Sequence, residues 1–132
     1  MGYMKAHVRQ AFALLVIAHG LAHAVLPMRG WMQPESLAKD FMPVILYGTA
    51  VLGFCAAGIG LFGLRPFTAA TRPLLVLASG YSLVALGLFG QGDLWWGATL
   101  DSALLLTGLT GAFKYLPAAR PSRGVPPGSR QQ

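Results

Sequence analysis

"PVILYGTAVLGFCAAGIGLFGL", Pro43 to Leu64, runs for 22 residues without a charged side chain. About 20 apolar residues in a helix, at ~1.5 Å per residue, cross the ~30 Å hydrocarbon core of a bilayer. The stretch therefore reads as a membrane span. Three further stretches, 8–26, 73–89 and 94–116, have the same character, and Asp101 is the one acid inside any of them. Pro43 and Pro73 stand where helices open, since the first turn has no use for their missing N–H. Pro27, Pro66 and Pro117 follow the expected helix ends.

Composition agrees. Of 132 residues, 55% are hydrophobic and 11% charged, against ~25% charged in soluble domains. The expected fold class is all-α: an integral membrane four-helix bundle with antiparallel up-down topology. It occupies residues 1–117. The Pro-, Gly-, Ser- and Arg-rich segment 118–132 is expected to be a disordered, basic, cytoplasmic tail.

Helices in lipid gain nothing from burying leucine against leucine, so small residues must let backbones approach. The second span places Gly53, Ala57, Gly60 and Gly63 near one side. The fourth places Gly97, Asp101, Gly108 and Ala112 on one face. A carboxylate on a small-residue seam points into the bundle rather than into lipid.

Charge sets the expected orientation. Lys5, Arg9, Arg65, Arg72, Lys114, Arg120, Arg123 and Arg130 fall on one side, eight of the ten basic residues. That side is expected to be cytoplasmic, with both termini, in a bacterial inner membrane. Trp31, Trp95 and Trp96 then fall at the outer interface. The connection Met28–Met42, with Met28, Trp31, Met32 and Phe41, is expected to lie along that interface. The net charge of +6 is explained by topology. It is scattered over the termini and one loop, and nucleic acid is not an expected partner. The partners expected are the bilayer and a second copy or another membrane protein.

Lys5 and Arg9, an apolar run and "AHA" at Ala22–Ala24 also imitate a secretory signal with its cleavage site. A histidine inside the apolar region speaks against that reading, and a retained span is favoured. Cys55, the single cysteine, has no partner for a disulfide or a Cys/His motif and reads as a small buried hydrophobe.

An ionisable residue inside a span is a functional-site hypothesis by default. Three qualify: His19, His23 and Asp101. With the outer boundary near Pro27, His23 lies ~6 Å deep and His19 ~12 Å deep. With that boundary near Leu94, Asp101 lies ~10 Å deep. All three fall in the outer half of the bundle. Tyr47 has a compatible depth, and Tyr81 and Ser82 lie nearer the middle of the third span. The first and last spans can be neighbours in a closed bundle, so a histidine and Asp101 can meet.

Such a pair can hold a metal, pass a proton, address a lipophilic ligand such as a quinone, or clasp two helices. Histidines four apart share a helix face and can bind one divalent ion, with Asp101 as third ligand. Gly20, however, stands where the zinc-protease helix has its catalytic Glu. Haem is disfavoured, because two histidines on one helix cannot ligate opposite haem faces. A quinone suits a pocket lined by His, Tyr and Trp. A transporter architecture of paired broken helices or inverted repeats is not visible.

"AHGLAHAV" at residues 18–25, the glycine-rich second span and "GDLWWGATLDSALLL" at residues 92–106 resemble a diffuse group of small bacterial four-helix membrane proteins. These carry an HGxxH motif early and a W-x-D…G…N/D motif near the last helix. The layout is also similar to DoxX-like membrane proteins, some linked to quinone-dependent oxidation. His19, Gly20 and His23 match the first motif. Gly97 and Asp101 match the second, with Asp93 at its acidic position. Asp101 stands where that group more often has an amide, and the tryptophans follow Asp93 rather than precede it. The resemblance implies a small multi-pass membrane protein, and the residues themselves lead to the expectation of an accessory or ligand-binding role with a polar pocket of His19, His23, Asp101 and Tyr47 in the outer half of the bundle. A membrane enzyme or redox partner acting on a quinone is the alternative, and a small transporter subunit the third.

Overall fold

The computed structural model describes residues 2–25, 41–89 and 95–112. Among them the chain is all-helical: α1 Gly2–Val25, α2 Phe41–Leu61, a short α3 Arg65–Thr68, α4 Thr71–Phe89 and α5 Trp95–Thr110. Three helices are long and apolar enough to cross a membrane: His7–Val25 within α1, then α2 and α4. The expected interfacial connection Met28–Met42 lies outside the described residues up to Asp40, as do Trp31, Asp93 and the 118–132 tail.

Helix α1 starts at Gly2, and its membrane-length part, His7–Val25, agrees with the expected 8–26 stretch to within a residue. The other boundaries differ from expectation for physical reasons. Pro43 and Pro73 each sit third in their helices, still within the first turn that tolerates proline. Helix α2 ends at Leu61, three residues before Leu64. Gly63 adopts a φ of 94°, the left-handed region that favours glycine and closes helices. Its place is therefore a helix stop and not the packing seam, and a β-carbon there would meet nothing within 4 Å. Helix α5 stops at Thr110, with Gly111 at φ 65°, six residues short of the expected Leu116. Its 16 residues rise ~24 Å. Ala112 is exposed, so the inward face of α5 is Asp101, Leu104 and Gly108.

Helix α1 packs on α2, α2 on α4, and α4 on α5. Small residues set these approaches. On one side of α2, a β-carbon at Gly58 would press into Ile17 and lie 3.0 Å from the Ala13 carbonyl. On the other side, one at Gly53 would lie 2.8 Å from the Ala78 β-carbon. A β-carbon at Gly20 would lie 2.7 Å from that of Phe54, and one at Gly108 would lie 2.9 Å from Val76. Helix α2 thus spreads its glycines over two faces because it is packed on both. The core between the helices is Ala13, Val16, Ala50, Phe54, Ala57, Leu61, Leu75, Ala78 and Leu104. Large side chains such as Leu14, Leu21, Leu52, Leu77, Leu88 and Leu106 point outward and are exposed. Small residues at the closest helix approaches, with many leucines facing outward, is the arrangement expected where the surrounding solvent is itself apolar.

The link between α2 and α4 is folded rather than slack. Thr71 Oγ donates to the Phe67 carbonyl at 2.9 Å, and Thr68 Oγ donates to that of Arg65 at 3.1 Å. Arg72, at the start of α4, donates through Nε to the Gly108 carbonyl at 3.1 Å and through Nη2 to that of Leu109 at 2.7 Å. Carbonyls in the last turn of a helix have no partner within it, and a cation there also faces the negative end of the helix dipole. Arg72→Met is expected to destabilise the fold by about 1–2 kcal/mol. Amide exchange should quicken in the last turn of α5 while α1 keeps its protection.

Candidate functional site

The buried stripe of α1 is Ala13, Val16, Gly20 and His23, with His19 beside it half-buried. This three-and-four spacing brings His19 and His23 to the same side, facing the bundle. Asp101 comes from the inward face of α5. Ser82 comes from the buried face of α4, in step with Ala78 and Ala85. Four polar side chains from three helices therefore converge inside an apolar core.

His19 Nε2 lies 2.7 Å from Asp101 Oδ1. His23 Nε2 lies 3.2 Å from His19 Nε2 and 3.7 Å from Asp101 Oδ1. Ser82 Oγ donates to Asp101 Oδ2 at 2.6 Å and lies 3.0 Å from His23 Nε2. The side chains of His19, His23 and Asp101 are 9%, 1% and 0% exposed. Helix α2 walls the histidines. Phe54 meets His19 edge-on at 5.1 Å and stacks on His23 at 6.0 Å, and Tyr47 stacks on His23 at 5.9 Å.

Hydrogen counting makes the cluster unusual. An ionised Asp101 accepts from Ser82 on one oxygen and from His19 on the other. Ser82 has one hydrogen, so its oxygen can then only accept, and only from an N–H on His23 Nε2. That leaves two N–H groups facing each other across 3.2 Å. If the His23 hydrogen is moved to Nδ1 instead, two lone pairs face across 3.0 Å, and a buried N–H is left with no partner. Each assignment with a carboxylate has one like-with-like contact. A proton on Asp101 removes it, while a cation among the three donor atoms removes the contact between the two histidine N–H groups. Two buried polar atoms, His23 Nδ1 and Ser79 Oγ, have no hydrogen-bond partner among the described residues.

The structure brings His19, His23, Asp101 and Tyr47 together. Tyr81, on the same helix as Ser82, is exposed instead, and Trp95 and Trp96 stack on each other at 3.7 Å on the exposed surface. Those three do not line the cluster. Cys55 is half-buried and free. Ser82 is the member that sequence reasoning left out of the site, and Phe54 is the wall it overlooked. The signal for Ser82 was present in the run Ala78, Ser82, Ala85, small residues at helical spacing in an otherwise bulky helix. No family model matches the chain, and neither does any curated protein or solved structure.

Proposed function

We propose that this protein is an antiparallel, up-down four-span protein of the bacterial inner membrane that holds a small ligand in the outer half of its bundle. Facing pairs support the topology: Gly20 with Phe54 and Gly58 with Ala13, then Gly53 with Ala78 and Gly60 with Thr71. In each set, one number rises as the other falls. The fourth span is α5, whose 16 residues rise ~24 Å. The excess of basic residues on one side supports cytoplasmic termini. A reporter fused at Gln132 and active only in the cytoplasm tests this; activity only outside would refute it.

One observation carries the ligand reading. Four polar groups converge from three helices where isolated polar groups are costly, and one of them keeps a buried nitrogen, His23 Nδ1, that has no partner among the described residues. A clasp between two helices needs one histidine and one acid. This cluster has two histidines, an acid and a hydroxyl. The role that fits is accessory or ligand-binding, with the lining of His19, His23, Asp101 and Tyr47 enlarged by Ser82. Full-length protein in mild detergent, examined by native mass spectrometry and optical absorption, is expected to carry a bound species. A His19→Ala, His23→Ala double variant should lose it. A wild-type protein that is empty throughout would sink the reading.

A further inference from the structure

We infer that the cluster is a binding site for a divalent first-row transition-metal ion, with His19 Nε2, His23 Nε2 and Asp101 Oδ1 as its three protein ligands; this rests on the ligand-binding reading above and names the ligand. The geometry points there first. Zinc bonds to nitrogen and carboxylate oxygen of ~2.0–2.1 Å in a tetrahedral site put neighbouring ligand atoms ~3.3 Å apart. The three separations here, 2.7, 3.2 and 3.7 Å, straddle that edge. The three ligand atoms lie within 4.8 Å of one another and belong to one histidine half-buried and two residues fully buried.

The hydrogen count is compatible with an ion. An ion among the three atoms needs lone pairs from both histidines, so neither Nε2 carries a hydrogen. The contact of two N–H groups between the histidines at 3.2 Å then disappears, and the His23 hydrogen sits on Nδ1. A proton on Asp101 would also relieve it. That solution, however, makes no use of the approach of His23 Nε2 to Asp101 Oδ1, whereas an ion uses all three corners. The donor set of two imidazoles and one carboxylate suits zinc or ferrous iron rather than magnesium or calcium.

Ser82 then acquires a positioning role. Its hydroxyl donates to Oδ2 at 2.6 Å and leaves Oδ1 to face the histidines. Partners of this kind orient a ligand without touching the metal. Three protein ligands leave a fourth position open, as in catalytic rather than structural zinc sites. Phe54 and Tyr47 close the side toward α2.

The test uses full-length protein without a polyhistidine tag, stripped with chelator and titrated with zinc, then with cobalt as a visible reporter. Expected are one equivalent of zinc per chain and the visible absorption of four-coordinate cobalt. Ser82→Ala should weaken zinc by about tenfold, within the range of about 10–100-fold seen for partners that orient a ligand, and Asp101→Asn, which alters a ligand itself, by more than Ser82→Ala. His7→Ala, on the exposed N-terminal part of α1, should change nothing. The wild-type cobalt spectrum needs no variant, so a misfolded mutant cannot hide the answer. Failure to bind zinc or cobalt overturns the inference, as does binding that is lost with His7 and kept without Asp101. If metal fails while a quinone or other organic molecule copurifies and leaves with the histidines, the metal inference falls and the ligand reading stands. If nothing binds at all, both fall.

Discussion

Gly60→Val is expected to prevent α2 and α4 from packing, with a loss of about 3 kcal/mol or more. A β-carbon at this position would lie 2.6 Å from the Phe67 carbonyl oxygen and collide with Thr71 Oγ. Neither neighbour can step aside. The first is backbone, and the second is tied to that same carbonyl by a 2.9 Å hydrogen bond. Relief requires the α2–α4 link to move as a whole. Gly80→Ala is the control, since nothing lies within 4 Å of its missing β-carbon. It should be neutral or raise stability by up to ~1 kcal/mol. Thermal unfolding in detergent, read by loss of monodisperse protein, separates the two. Equal behaviour would contradict the close packing at Gly60.

Asp101→Ala is the second large effect. It removes the acceptor for both His19 and Ser82 and strands them in an apolar interior. Breaking a buried pair by removing one partner costs ~3–5 kcal/mol in soluble proteins. Polar groups in lipid find substitute partners when the helices separate, which lowers the figure. A loss of about 2 kcal/mol is expected on that ground. Asp101→Asn keeps one carbonyl acceptor and should lose about half as much. The pair of variants separates stability from binding, because the amide preserves much of the fold while abolishing a charged ligand.

The sequence spoke clearly where its signal is one-dimensional. Uncharged runs such as 43–64 mark spans whatever packs on them. The i, i+4 spacing of His19 and His23 puts them on one face by helix geometry alone, and the depths of Asp101 and Tyr47 follow from counting turns. What stayed hidden depends on which helix lies opposite. Gly58 faces α1 while Gly53 and Gly60 face α4, and no periodicity within α2 says that both its sides are covered. Gly63 looked like another seam residue because spacing does not reveal a positive φ. Ser82 was passed over because a serine in a span ordinarily bonds its own helix, as Ser102 does with the Ala98 carbonyl at 2.7 Å. Only the position of α4 against α1 and α5 turns it inward.

The central claim is that α1 and α5 are joined inside the bundle through His19 and Asp101. These helices share no extended packed face among the described residues, so the 2.7 Å contact has to carry the coupling. A double-mutant cycle of His19→Ala and Asp101→Ala, read as unfolding free energy of the metal-free protein in bicelles, measures it directly. The expected coupling is about 1 kcal/mol, within the range found between membrane helices. Losses that simply add, with coupling near zero, would contradict the account.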